Sequence, residues 1–210
     1  MSERSIDEVL AHQWAAFRGW LDRPQVTESL ERPSVLEGWA VRDLIAHVGR
    51  CFTTIPTATP VTGVAPLSLY GYVTGYASAA DEIAERTRAL AVEFGDDLLG
   101  SVDRLAVEGF AALSTLDAPI VRGPRGAIRR DDFVVTRIIE LVVHADDLAR
   151  SVDASPEAAL DGSAVATVAE ALTSAYLEKT GRSATGATTM EWIRAAAGRI
   201  PSEDPALPLF

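Results

Sequence analysis

"DFVVTRIIELVVHADDLARSV", residues 132–152, is a largely apolar run interrupted by a few ionisable side chains. Its periodicity predicts a helix from about Phe133 to Ser151, with Asp131 or Asp132 as the N-cap. Ile138, Ile139, Leu141, Val142, Val143 and Leu148 occupy most of the circumference, so this helix is expected to be buried on several sides. At about 100° per residue, Arg137, Glu140, His144 and Asp147 fall within roughly 80° of one another and form one polar stripe. Asp146 and Arg150 provide a separate polar outlet on the opposite edge, so the stripe need not face solvent.

Ionisable groups inside a helical bundle are costly unless they are paired or bind a metal. Glu140 and His144 stand one turn apart on one face, a spacing that lets both reach a single ion. From these residues alone three readings stay open: a metal pair, a structural Glu/His hydrogen bond, and a solvent-facing strip.

An earlier segment bears on the choice. The helix expected to start at about Ala40 or Val41 has Val41, Leu44, Ile45 and Val48 on its apolar side, with His47 at the edge beside Leu44. Asp43, His47 and Arg50 lie within about 60° of one another. A histidine so placed can complete a His/Glu/His set, and three protein ligands leave a fourth position open, as in catalytic zinc sites. Two histidines and one carboxylate also suit non-haem iron, but nothing else in the chain suggests an oxygenase. Cys51, four residues after His47, either closes the site as a further ligand or packs in the core. His12 lies away from the apolar stripe of its helix and reads as a surface residue.

Around these two segments the chain reads as helical throughout. Ile6, Val9, Leu10, Trp14, Phe17 and Leu21 mark a first helix over 6–21, and Pro24 to Pro33 break the pattern. Residues 56–66 hold three prolines and Gly63 and predict a long loop, a candidate lid. Helical periodicity returns over about 68–94 and 98–116, bent or broken near Gly95, while 117–130 reads as a short hairpin or a loop. Four helical blocks with apolar stripes indicate a four-helix bundle. An alanine-rich helix over about 163–179, ended by Gly181, and a last short helix near 190–197 follow. The expected organisation is a bundle over 1–152 and a short, mostly helical C-terminal extension over 153–210, too small to promise a core of its own.

Composition bounds the function. The net charge of −11 argues against nucleic acid or an anionic membrane as partner, although the local basic stretch "RGPRGAIRR" (122–130) is either a solvated loop or an anion site. No window is long and apolar enough to span a bilayer, and the acidic start is unlike a signal peptide, so a cytoplasmic protein is expected. One cysteine excludes an internal disulfide and a multi-cysteine zinc site. Lys179 is the sole lysine among 19 basic residues, a bias suggesting a GC-rich genome.

"PSVLEGWAVRDLIAHVGR" (33–50) and the opening stretch together resemble the mycothiol-dependent maleylpyruvate isomerase family of the DinB/YfiT-like superfamily. The paired signature is G-W-x-V-R-D-L-x-x-H followed by E-x-x-x-H-x-x-D-L, and the similarity runs from about residue 5 to 152. The resemblance implies a mainly α, DinB/YfiT-like four-helix bundle holding a divalent metal, usually Zn2+, through His47, Glu140 and His144. It implies mycothiol as the low-molecular-weight thiol and a small-molecule electrophile as its partner. The implied activity is S-transfer or maleylpyruvate isomerase-like isomerisation, in an actinobacterial host. Asp147 and Asp43 are candidates to orient the ligand imidazoles, and Arg137 to meet Glu140 or a substrate carboxylate. A non-catalytic metal-binding regulatory or interaction module is the alternative, and either a monomer or a homodimer is expected.

Two departures stand out. Relatives often carry Thr or Ser after Gly-Trp, where this chain has Ala40 and so lacks a hydroxyl cap. The isomerase also has a fuller α/β C-terminal domain than these last residues provide.

Overall fold

The computed structural model describes residues 4–75, 80–184 and 190–210. The first helix, α1 (Ile6–Leu21), is set by a capping box: Ser5 Oγ accepts the Glu8 amide at 3.3 Å and Glu8 Oε2 accepts the Ser5 amide at 2.7 Å. It buries Leu10, Phe17 and Leu21 completely. A single turn, α2 (Pro24–Thr27), begins with proline, which suits a first helical position because no amide hydrogen is needed there. At α3 (Val41–Thr53) no hydroxyl is present at Ala40, and the reciprocal half of a capping box does the work: Asp43 accepts the Ala40 amide at 2.9 Å.

After α3 the chain forms α4 (Leu69–Val73), α5 (Ala80–Phe94) and α6 (Leu98–Thr115). The expected helix over 68–94 is thus α4 and α5, and its continuity across 76–79 lies outside the described residues. Gly95, at φ +53°, makes the break before α6 that its position predicted. The longest helix, α7 (Arg130–Ser151), starts three residues earlier than expected. The preceding strand leads straight into it, so Asp131 and Asp132 sit in the first turn, where the helix dipole favours carboxylates, and neither caps it.

Four of these helices, α1, α3, α6 and α7, make the bundle. The third helix packs on α6 and α7, α1 packs on α7, and the Arg18–Asp103 fork at 2.6 and 2.9 Å joins α1 to α6. The third helix also packs on α5. Most of α7 is buried, Arg137, His144 and Asp147 of the polar stripe included, with Glu140 partly exposed, which is why its apolar residues occupy nearly the whole circumference.

Residues 117–130 form a hairpin. Strands β2 (Ile120–Gly123) and β3 (Gly126–Arg129) pair antiparallel, Val121 against Ile128, around a Pro124-Arg125 turn. A two-residue strand, β1 (Thr59–Pro60), adds to β2. The loop over 56–66 is therefore stitched to the hairpin, with the Val61 amide donating to Ile120 O at 3.1 Å, and is not a free lid.

A 3-10 turn (Glu157–Ala159), α8 (Gly162–Thr180) and α9 (Met190–Ala196) complete the chain. Asp161 caps α8 by accepting the Ser163 and Ala164 amides at 3.0 and 3.1 Å, and Gly181, at φ +68°, ends it. The extension packs on the bundle: α8 lies on α7, α4 and α1, and α9 lies on α8. Buried Gln13 of α1 latches it, donating to Ala159 O at 3.0 Å and accepting the Asp161 amide at 2.9 Å. One hydrophobic cluster runs from Val9 through Leu172 and Ile193 to Leu209. Among the described residues no helix is long and apolar enough to cross a membrane.

Candidate metal centre

The packing of α3 on α7 brings His47 to the polar stripe. His47 Nε2 lies 3.4 Å and His144 Nε2 3.2 Å from the same oxygen, Glu140 Oε2. The two imidazoles stand nearly perpendicular, their centroids 4.6 Å apart. Each ring is held on its far side. His144 Nδ1 is 3.1 Å from Asp147 Oδ2, and His47 Nδ1 is 3.2 Å from the hydroxyl of Thr87, a fully buried residue of α5. Trp39 sets its edge against the His47 ring at 5.2 Å.

Cys51 joins the same cluster. Its thiol donates to His47 O at 3.3 Å and approaches Glu140 Oε2 at 3.9 Å; donor atoms of His47, Cys51 and Glu140 all lie within 4.8 Å of one another. Among the described residues, His47, Cys51 and Glu140 are the group whose ligand atoms lie within reach of one cation, and His144 meets the same Glu140 oxygen.

Burial and charge act in opposite senses here. Burial would push the Glu140 carboxyl up, but the hydrogen bonds from His144 and His47 outweigh it and hold the group well below the usual carboxylate range. At His47 burial wins over the Glu140 contact and lowers the imidazole to about 4. Burial works the same way on His144, but Asp147 and Glu140 together overcome it and the imidazole is raised. The two histidines share Glu140; Asp147 adds to the rise at His144, while the charges of His144 and Arg50 add to the fall at His47. Burial, aided by the Glu140 charge, raises the Cys51 thiol, which stays protonated without a metal.

The cluster forms part of the wall of a cavity of about 980 Å3. Arg50, Arg88, Arg125, Arg137 and Arg199 line it, against Glu37, Glu85 and Glu140. Leu36, Trp39, Ile83 and Val143 supply apolar wall. This is a concave, partly apolar and net cationic space with one partly exposed carboxylate between two imidazoles, the setting of a small-ligand site.

The sequence-derived candidates fall in different places. Glu140, His144 and His47 converge, and Asp147 lies directly behind His144 with no exposed surface. Arg137 is buried in the cavity wall and donates to Thr54 Oγ1 at 2.9 Å, to Thr136 Oγ1 at 3.1 Å and to Cys51 O at 3.5 Å. Asp43 is spent on the start of α3 and is not among the residues lining the cavity; the Nδ1 partner of His47 is Thr87. The basic stretch 122–130 divides: Arg125, at the hairpin turn, reaches the cavity, while Arg130 forks onto Asp7 at 2.8 and 2.6 Å. His12 is exposed. None of residues 56–66 lines the cavity.

Thr87 and Arg199, like the cavity-lining Arg88, are site residues that the sequence did not announce. Thr87 is one hydroxyl on an amphipathic helix, and Arg199 follows the last helix at no recognisable spacing from α7. Only the packing of distant segments reveals them.

The sequence model of the mycothiol maleylpyruvate isomerase N-terminal domain matches residues 10–149, a span that begins in α1, ends in α7 and contains His47, Glu140 and His144. No significant match is found among curated proteins or among solved structures. The match covers well over half of the chain, and its helices, in the order the bundle requires, carry both halves of the paired signature: the chain belongs to the mycothiol maleylpyruvate isomerase N-terminal domain family.

Proposed function

We propose that this protein is a metal-dependent enzyme that uses a low-molecular-weight thiol, mycothiol, on a small anionic electrophile, by S-transfer or by isomerisation. The observation that carries the reading is the convergence of His47 Nε2 and His144 Nε2 on one oxygen of Glu140 in the wall of an arginine-lined cavity. Two imidazole nitrogens and a carboxylate oxygen, with both far-side Nδ1 atoms already engaged, fit a divalent ion such as Zn2+. When bound, such an ion supplies Lewis acidity and lowers the pKa of a coordinated thiol or water.

The chain's own residues account for the rest. Asp147 and Thr87 engage the far Nδ1 atoms, which leaves each Nε2 to face Glu140. Arg50, Arg88 and Arg125 make the cavity attractive to a carboxylate-bearing substrate, and Arg137 stands buried among them. Trp39, Ile83 and Val143 exclude water from one side, which strengthens these charge interactions. No protein nucleophile is required, which suits a site whose single thiol is buried and protonated. A reduced thiol partner supports a cytoplasmic location.

One observation favours a second reading. Cys51 lies close enough to Glu140 and His47 to occupy the fourth position, which would close the site and make the protein a metal-binding module without catalysis. Cobalt substitution separates the two. In the enzyme reading, the sulfur-to-cobalt charge-transfer band is absent until mycothiol is added; a band present beforehand favours the module. The activity test is turnover of mycothiol with a panel of carboxylated electrophiles, including cis-unsaturated keto acids. Zn2+-loaded protein is expected to convert at least one, and His47→Ala to lose about 10³-fold or more with its metal. Full metal occupancy with no conversion across the panel overturns the enzyme reading.

A further inference from the structure

Residues beyond the bundle reach the back of the site. Arg199 follows α9, and its Nε donates to Asp147 Oδ1 and Oδ2 at 3.1 and 3.0 Å, while its Nη1 donates to Ala197 O at 2.8 Å. The guanidinium is thereby fixed from two directions. Asp147 has no exposed surface, and its Oδ2 also meets His144 Nδ1 at 3.1 Å. A buried carboxylate with no cation beside it is expensive and loses its charge. Here the Arg199 guanidinium stands beside both carboxylate oxygens, with His144 Nδ1 against Oδ2.

We propose that Arg199 is a positioning residue for the metal centre: it locks the Asp147 carboxylate so that this group accepts the His144 Nδ1–H and leaves the unprotonated His144 Nε2, with its lone pair, to ligate a metal beside Glu140. The proposal rests on the metal reading for its purpose, but the chain of contacts from Arg199 through Asp147 to His144 stands in the protein itself. It makes the C-terminal extension a structural part of the site and gives the extension a task beyond covering apolar surface. A second arginine supplies an internal control. Arg194, on α9, forks onto the neighbouring buried Asp146 at 2.8 and 2.5 Å, docking the same segment on the same helix without touching Asp147. Loss of docking and loss of positioning can therefore be told apart.

The test uses the full chain as wild type, Arg199→Ala, Arg199→Gln, Arg199→Lys and Arg194→Ala, each checked for folding by thermal melts. Zn2+ affinity is measured by competition with a chromophoric chelator. The His144 tautomer is read separately in metal-free protein by long-range 1H–15N correlation at alkaline pH, where the imidazole is neutral. Arg199→Ala is expected to weaken Zn2+ binding by about 10- to 100-fold and to mix the His144 tautomers. Lysine at the position recovers part of the loss, and Arg194→Ala stays within about threefold of wild type. Wild-type affinity and an unmixed tautomer in Arg199→Ala, or in Arg199→Gln should the alanine variant not fold, overturn the proposal. Equal losses in Arg199→Ala and Arg194→Ala overturn it as well, because they assign the effect to docking. A wild type that binds no Zn2+ overturns the metal reading, while the tautomer measurement still decides the contact chain on its own.

Discussion

His47 and His144 touch the same carboxylate oxygen yet are pushed in opposite directions, and the metal-free protein should register it. His47 is lowered from 6.5 to about 4, chiefly by burial, with Glu140 opposing and His144 and Arg50 adding to the fall. Between those two values the unfolded chain takes up a proton at this position that the folded chain refuses. Stability contributed by neutral His47 is therefore complete above pH 6.5 and is lost as pH falls toward 4. His144, raised, contributes in the opposite sense: its share is present below 6.5 and lost as pH rises through its folded value. Denaturant melts of chelator-stripped protein from pH 8 to pH 4 are expected to show wild type losing stability through this window and His47→Gln losing less; parallel curves would count against it. Within this site, spacing made legible what each helix carries on one face, and His47 of α3 was joined to the α7 residues through the paired signature. Glu140, His144 and Asp147 follow from spacing along α7, since three- and four-residue steps share a face. Asp43 shows the limit of that reasoning: it shares a face with His47 on paper, but its carboxylate turns back to the helix start, which had lost its hydroxyl cap.

At the scale of elements, the approach of α6 to α3 depends on small residues. A Cβ added at Gly109 would come within 3.2 Å of Phe52 Cβ and Cδ1 and 3.4 Å of its carbonyl oxygen, atoms at the base of a side chain and in the backbone that cannot swing away. Overpacking of this kind costs about 1–3 kcal/mol, and the better helix propensity of alanine returns at most about 1 kcal/mol. Gly109→Ala is thus expected to be destabilised by about 1 kcal/mol, seen as a lower urea midpoint at unchanged slope. An unchanged midpoint would show that α3 and α6 can part without loss. The helices themselves were legible because each has an apolar stripe with a recognisable start or stop. For 117–130 the sequence allows both a hairpin and a loop, since proline and glycine announce a turn without naming its partners. The early start of α7 was hidden because strand and helix join there without a capping residue.

For the whole molecule, we propose that residues 1–152 and 153–210 are bundle and appendage of one cooperative unit. The continuous apolar cluster from Val9 to Leu209, the Gln13 latch and the Arg194–Asp146 fork tie them together. Urea unfolding is expected to show one transition, with coincident tryptophan fluorescence from Trp14 and Trp20 in α1 and Trp192 in α9. Two resolved transitions would separate the units. The same architecture sets the order in which the site comes into being. His47 and Glu140 are 93 positions apart along the chain, and Arg199 is a further 52 beyond Asp147. Closing long loops costs chain entropy before the contacts they bring can repay it, so such contacts form late. During folding the bundle can bring the two histidines together while Asp147 still waits for its cation. The site is finished by the most distant segment that touches it, and refolding should regain helix content and apolar burial before it regains tight metal binding.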